Sequence, residues 1–258
     1  MISKLFDLTG RVAIVTGASS GFGVVFAIAL AEAGADVAIA ARRLEKLEET
    51  AKQVRDKGRR CLAVQTDVSR PEQIDRLVAR TLREFGRVDI LVNNAGMGGT
   101  AMWTETATLD EYRQIIDANL TSAFLLTQRA GKEMLARGWG RIINISSVEG
   151  LQAAPENDPS FGYCTTKHAL AGFTKETAKQ WAKRGVNVNQ IAPGFFHTEL
   201  TDRFLRDPKI AEELSALAPM GRVGRPEELL GALLFLASDA SSYITGQTIT
   251  IDGGWSIW

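Results

Sequence analysis

The chain has 258 residues, with 30 basic side chains balanced by 30 acidic ones. That length can bury a sizeable core, and the balanced charge lacks both the basic surplus of a nucleic-acid binder and the polybasic segment of a protein held to an anionic membrane. No apolar run is long enough to span a bilayer, Met1 to Gly10 lacks the core of a signal peptide, and no linker, repeat or low-complexity tract divides the chain; one cytoplasmic domain acting on small molecules is expected.

Val12 to Thr16 reads as a short apolar strand that breaks into Gly17, Gly21 and Gly23 before an apolar helix over Val24–Ala31, with Gly34 as its stop. Glycines there let the main chain approach a bulky ligand, and the free N–H groups of the new helix favour a phosphate; an ordinary strand-to-helix turn would show the same glycines. Val37–Ala41 is a second strand, followed by Arg42 and Arg43 and a charged helix from Leu44 to Lys57. Cys61–Gln65 is a third strand, and Ser69 with Glu72 forms a capping-box pattern that opens a helix to about Phe85. Val88–Asn93 is the fourth. Thr108 and Glu111 form another capping box, starting one long helical pattern through Asn119 toward Leu135. Arg141–Ser146 is the fifth strand; a Pro-containing loop from Glu149 to Ser160 leads to a helix carrying Tyr163 and Lys167; Val186–Ile191 is the sixth. Between Pro193 and Pro226 lie short helical pieces, then a helix over Glu227–Leu236 and a last strand, Thr248–Ile251.

Short apolar strands alternating with amphipathic helices predict an α/β fold, a doubly wound parallel sheet with helices on both faces. Ligands in such sheets sit at the carboxyl ends of the strands. That rule gathers Gly17 to Gly23, Arg42, Asp67, Asn93 to Gly96, Ser146, Ser147, Pro193 and Gly194 on one rim. Tyr163 and Lys167 stand four residues apart, on one helical face, where an ammonium favours the phenolate and lowers its pKa. Standing alone, that spacing describes many plain surface pairs.

Taken together, Thr16-Gly-Ala-Ser-Ser-Gly-Phe-Gly23, Asn93-Asn-Ala-Gly96, Asn119, Ser147, Tyr163-x-x-x-Lys167 and Pro193-Gly194 resemble the short-chain dehydrogenase/reductase family in order and approximate spacing, over essentially the whole chain. The resemblance implies a single Rossmann-type domain over 1–258 that transfers a hydride between a nicotinamide cofactor and a ketone or secondary alcohol. It implies that Tyr163 is the proton donor and acceptor and that Ser147 holds the substrate oxygen. Lys167 then binds the nicotinamide ribose and lowers the tyrosine pKa, and Asn119 helps a water chain reach that lysine. For the cofactor it implies Gly17, Ser19, Ser20, Gly21, Phe22 and Gly23 at the pyrophosphate, Asp67 and Val68 at the adenine, and Asn93, Asn94, Ala95 and Gly96 lining the ribose and steadying the sheet. Pro193, Gly194 and Thr198 fall on the carboxamide side of the nicotinamide. Ala41 stands where the family's NAD users carry aspartate, so no carboxylate repels a 2′-phosphate there. Arg42, with Arg43 beside it, can pair with that phosphate, which favours NADP over NAD; alternatively both arginines merely begin an exposed helix. Ser20 stands where some NADP users carry a second arginine.

Two features depart from the pattern: Phe22 replaces the usual Ile or Leu, and the loop from Ser147 to Tyr163 is longer than the common form. His168 reads as a surface residue, His197 as a substrate contact or a solvated side chain, and Glu149 as a loop carboxylate or a substrate-facing one. Cys61 and Cys164 have no metal-type spacing and read as structural thiols. Met102, Trp103, Phe195, Phe196 and Phe204 could line an apolar pocket or be loop core. Residues 195–218 are expected to form a lid, and Trp255 and Trp258 to be buried at the interface of a homotetramer. A non-catalytic dinucleotide sensor and a non-redox enzyme on the same scaffold remain open alternatives.

Overall fold

A computed structural model describes residues 2–98, 102–155, 158–199 and 201–257, without the side chains of Arg203 and Phe204. Its strands are β1 (Val12–Thr16), β2 (Asp36–Ala41), β3 (Cys61–Gln65), β4 (Ile90–Asn93), β5 (Gly140–Ile145), β6 (Val186–Pro193) and β7 (Thr248–Ile251). They form one sheet in the order β3-β2-β1-β4-β5-β6-β7, every pair parallel.

Side chains alternate across a strand, so a sheet covered on both faces favours apolar residues at most positions. Ala13 and Val15 of β1, Val37 and Ile39 of β2, Ile90 and Val92 of β4, and Ile143 and Ile145 of β5 enter one core, with Phe26, Leu30, Leu47, Val54 and Leu233 from the helices over Phe22–Glu32, Leu44–Asp56 and Leu230–Ala237. Their neighbours Ile14, Ala38, Leu91 and Ile142 enter the other core, with Ile74, Leu77, Leu126, Met134 and Ala178 from the helices over Pro71–Phe85, Ser122–Arg137 and Phe161–Trp181. No helix among the described residues is long and apolar enough to cross a membrane.

The second core also carries a polar chain that fixes the position of the Tyr163 helix. Asn93 Nδ2 donates to Asn144 Oδ1 (2.8 Å), Asn144 Nδ2 to Thr174 Oγ1 (2.9 Å), Thr174 Oγ1 to Gln190 Oε1 (3.4 Å), and Gln190 Nε2 to Thr248 Oγ1 (2.9 Å). Buried polar groups are tolerated when paired, and pairing of this kind permits only one register. It ties β4, β5, β6 and β7 to the helix over Phe161–Trp181.

Three local expectations need correction. The pattern from Thr108 to Leu135 is not one α-helix: Leu109–Ile116 runs into a π-turn at Asp117–Thr121 before Ser122–Arg137 begins. The capping box at Thr108 and Glu111 does form. The one at Ser69 and Glu72 does not, because Arg70 is the helix cap and the Ser69 hydroxyl donates instead to the nearby Asp67 carboxylate (2.7 Å), a charged and therefore stronger acceptor. Trp255 is buried within its own chain, 5.1 Å from Phe195 between ring centroids and beside Val148 and Ala218, so it needs no partner subunit to cover it. Trp258 lies outside the described residues.

Candidate active site

The sheet order reverses between β1 and β4, which opens a crevice outside their carboxyl ends. The glycine turn forms its floor. Gly21, at φ 55°, caps the helix over Phe22–Glu32, and a Cβ on Gly23 would stand 2.3 Å from the Gly17 carbonyl oxygen. Gly23 is therefore the residue that lets the helix fold back onto the turn. The Thr16 hydroxyl accepts the backbone N–H groups of Asn94 (3.1 Å) and Ala95 (3.0 Å), and Asn94 Nδ2 donates to the Thr16 carbonyl (2.7 Å), fastening the turn to the end of β4.

The resulting cleft, about 790 Å³, brings together most of the expected cofactor residues. Gly17, Ser19, Ser20, Gly21 and Phe22 come from the turn; Arg42 and Arg43 from the end of β2; Asp67 and Val68 from beyond β3; Asn94, Ala95 and Gly96 from beyond β4; and Thr198 from the loop after β6. Gly23, Tyr163, Lys167, Pro193 and Gly194 do not line it. Pro193 ends the buried β6, and a Cβ on Gly194 would meet Asp252 Cβ at 2.8 Å, so these two set the path of the loop. Asn93 points into the sheet interior, where Nδ2 donates to Asn144.

Arg43, rather than Arg42, is the arginine that contacts the glycine turn. Its Nη2 donates to Ser20 Oγ (2.8 Å), so its cation reaches the position that Ser20 leaves without charge. The same guanidinium makes a two-pronged contact with Glu199 (2.6 and 2.8 Å), which also pairs with Lys46 (3.2 Å). Hydrogen bonds from Arg43 first, then Ser20 and Lys46, hold the Glu199 carboxyl down to about 2. Arg42 makes no ion pair among the described residues. Glu199 carries no local sequence signal: its partner Arg43 is 156 positions away.

Behind Gly96 lies the second cluster. A Cβ on Gly96 would be 3.1 Å from Asn119 Oδ1 and 3.8 Å from Lys167 Nζ, so this glycine borders both the cleft and the cluster. The π-turn carries Asn119, whose Oδ1 accepts Met97 N–H (2.7 Å) while Nδ2 donates to the Met97 carbonyl (3.0 Å) and to Thr166 Oγ1 (3.1 Å). Such turns recur at functional sites. In this geometry Asn119 braces the loop after β4 against the Tyr163 helix. Lys167 is 5% exposed, donates to the Ile145 carbonyl (2.8 Å), and lies 5.3 Å from the centre of the Tyr163 ring. Burial lowers its pKa to about 8, against the pull of Glu149.

The tyrosine departs from expectation. Burial, followed by the nearby Glu149 charge, pushes the Tyr163 phenol up, and a hydrogen bond with Ser147 only partly offsets this. The reason is that Lys167 gives its short hydrogen bond to a backbone carbonyl, while Glu149, a residue with no assigned place in the motif, stands close by. Glu149 is 7% exposed; its backbone N–H donates to Ser147 Oγ (3.1 Å), and its Oε2 accepts from the Cys164 thiol (3.5 Å). Burial, followed by Asp158, raises its carboxyl to about 7. His168 and His197 are exposed, and Met102, Phe195 and Phe196 pack as loop core, while Trp103 is 46% exposed. The side chain of Phe204 lies outside the described residues.

Fold and site together define a class, a doubly wound α/β oxidoreductase with a dinucleotide-sized cleft beside a buried serine and a half-buried tyrosine. The family model described as enoyl-(acyl carrier protein) reductase matches residues 17–256. A 3-oxoacyl-[acyl-carrier-protein] reductase of Synechocystis sp. is 40% identical over 96% of this chain and 97% of its own. Among solved structures, a short-chain type dehydrogenase/reductase from Mycobacterium marinum superposes with TM-score 0.94 at 38% identity, covering 99% of both chains. A gluconate 5-dehydrogenase from Burkholderia cenocepacia, in complex with NADP and tartrate, superposes with TM-score 0.93 at 36% identity over 100% of both. The chain belongs to the short-chain dehydrogenase/reductase family.

Proposed function

We propose that the protein is an NADP(H)-dependent oxidoreductase acting on a ketone and secondary alcohol pair, with Ser147, Tyr163, Lys167 and Asn119 as its working residues. The observation that carries this reading is the Ser147 hydroxyl beside the Tyr163 phenol, with Lys167 on the same helix behind Gly96, the residue shared with the cleft. The residues fit a dinucleotide: a left-handed Gly21 opens the turn, and Gly96 leaves room where a Cβ would crowd Asn119 and the lysine. They fit NADP in particular because Ala41 presents no carboxylate at the end of β2 while Arg42 and Arg43 present two guanidiniums. The NADP bound by the Burkholderia relative supports the same choice.

When bound, the nicotinamide supplies or accepts the hydride. The chain supplies the rest: Ser147 and Tyr163 hold the substrate oxygen, and Tyr163 gives it a proton during reduction. A phenol pushed above its ordinary pKa is firmly protonated, which suits the reducing direction. Lys167, its pKa lowered by burial to about 8 yet still mainly charged at neutral pH, is placed to hold ribose hydroxyls beside Gly96. Tyr163→Phe keeps the ring and removes the proton, so turnover should fall about 10²–10⁴-fold with cofactor affinity nearly unchanged. Near-normal turnover in the folded variant would rule out this mechanism.

The relatives' names divide between a 3-oxoacyl thioester and a sugar acid, leaving the substrate class to be read from the pocket. The segment over 195–218 is assigned as a lid. Its helix over Pro208–Leu217 buries no residue, and Thr198 and Glu199 carry it across the glycine turn to Arg43. A homotetramer is supported by Phe124, 46% exposed and packed edge-on against Phe173 along the outer faces of two long helices. Two free cysteines and balanced charge support the cytoplasm as its compartment.

A further inference from the structure

Glu149 is a buried carboxyl that the reaction outlined above does not use. It sits two residues after Ser147, tied to the serine hydroxyl through its own N–H (3.1 Å), on a turn over Val148–Gly150. Its side chain lies against the Tyr163 helix, where the Cys164 thiol, at 3.5 Å, is its only side-chain partner among the described residues. A carboxylate has about four acceptor positions, and leaving them unmatched while buried is unfavourable. If Glu149 served packing alone, an apolar side chain of similar size would fill the same space without that cost.

The surrounding charges do not neutralise it. Asp158, from the loop above, disfavours ionisation; Lys167, on the facing helix, favours it but is held by the Ile145 carbonyl; Tyr163 and Cys164 stay protonated, the thiol being pushed up to about 11. The carboxyl, raised to about 7, thus changes charge near neutrality within the field of Tyr163.

We propose that Glu149 is a specificity-determining residue: its carboxylate accepts a hydrogen bond from a hydroxyl on the carbon next to the reacting carbonyl. The preferred substrates are then hydroxyketones and the corresponding vicinal diols, not acyl chains with methylenes on both sides of the ketone. A substrate carboxylate at that same carbon is repelled. This inference rests on the oxidoreductase reading, with the reacting oxygen between Ser147 and Tyr163. A site built to pair a hydroxyl rejects the analogue that lacks it, because its own polar group is left unmatched.

The test compares acetoin with butanone, which differ by that hydroxyl, in the holoenzyme with NADPH. In wild type, kcat/KM should favour acetoin by about ten- to a hundredfold, and the preference should grow as pH rises through neutrality and the carboxyl ionises. Glu149→Leu should remove the preference, mainly through KM for acetoin, and Glu149→Gln should keep part of it while losing the pH dependence. An unchanged acetoin-to-butanone ratio in Glu149→Leu, or a wild-type ratio flat with pH, would overturn the assignment. Carbon-13 NMR of the labelled glutamate, identified by its loss in Glu149→Gln, gives a readout independent of turnover. Acetoin should lower its titration midpoint and butanone should not; equal midpoints with both also overturn it. If the midpoint shifts with acetoin while neither ketone is reduced, the redox reading fails and the recognition role of Glu149 stands.

Discussion

On the proposed reading, selection between the two dinucleotides turns on how two neighbouring arginines are engaged before a cofactor arrives. Arg42 has no ion pair among the described residues, whereas Arg43 already contacts Glu199 through two nitrogens. A 2′-phosphate approaching Arg42 therefore gains a new charge-assisted hydrogen bond, worth about 1.5–3 kcal/mol, equivalent to roughly ten- to a hundredfold in affinity. Approaching Arg43, the same phosphate exchanges with a carboxylate. The pair being displaced is nearly half exposed on both sides, 45% and 48%, and such pairs contribute about 0–1 kcal/mol, so Arg43 yields a smaller net gain. Arg42→Ala should weaken NADPH binding by about ten- to a hundredfold and barely affect NADH. Glu199→Gln should strengthen NADPH binding by up to about fivefold, less at high salt. Fluorescence titration of each reduced cofactor, with kcat/KM ratios for NADPH and NADH in wild type and both variants, measures all of this. A wild type that prefers NADH, or an Arg42→Ala variant that loses both cofactors equally, would refute the phosphate-binding assignment.

Hydrogen exchange over 195–218 should be fast in the free protein and slow in the ternary complex; equally slow exchange in both would exclude a lid. Light scattering at micromolar concentration should give the mass of a tetramer, and a monomer mass would remove the interface assigned to Phe124 and Phe173. Glu149 should also leave a mark on stability. Because its carboxyl titrates at about 7 when folded, the native state holds more protons than the unfolded chain between the ordinary carboxylate range and that value, so stability falls as pH rises through this window. Glu149→Gln should flatten that part of the denaturation-versus-pH profile and gain about 3 kcal/mol above it; the same slope in both proteins would show that the carboxyl is not raised.

The strands were legible because a sheet covered on both faces favours apolar residues at successive positions, and Val12–Thr16, Val37–Ala41 and, with two buried polar exceptions at Arg141 and Asn144, Arg141–Ser146 follow that pattern within a residue or two of the observed ends. The rim followed from topology: once the strands run parallel, whatever follows their carboxyl ends converges. The π-turn was not legible, since its residues, Asp117-Ala-Asn-Leu-Thr121, carry no breaker and continue the helical pattern. It is specified by tertiary pairing of Asn119 with Met97 and Thr166, contacts 22 and 47 positions away.

Glu199 escaped, and Glu149 stayed open between a solvated and a substrate-facing reading, for a related reason with a different physical content. Each is a single carboxylate in a loop, and loop carboxylates are solvated by default, so only three-dimensional placement distinguishes them. Glu199 is paired at the surface; its pKa is depressed because hydrogen-bond donors surround it. Glu149 is enclosed, and its pKa is raised because water has been removed with little to replace it. The opposite directions mark opposite energetic situations. A carboxylate held low by partners is already stabilised and can be moved only by a competing ion such as a 2′-phosphate. A carboxyl held high by burial is stabilised by any ligand that brings a donor. On the proposed reading, the two ends of the site respond to different chemistry, an anion at Arg42 and Arg43 and a hydroxyl at Glu149, with Gly96 and Lys167 between them.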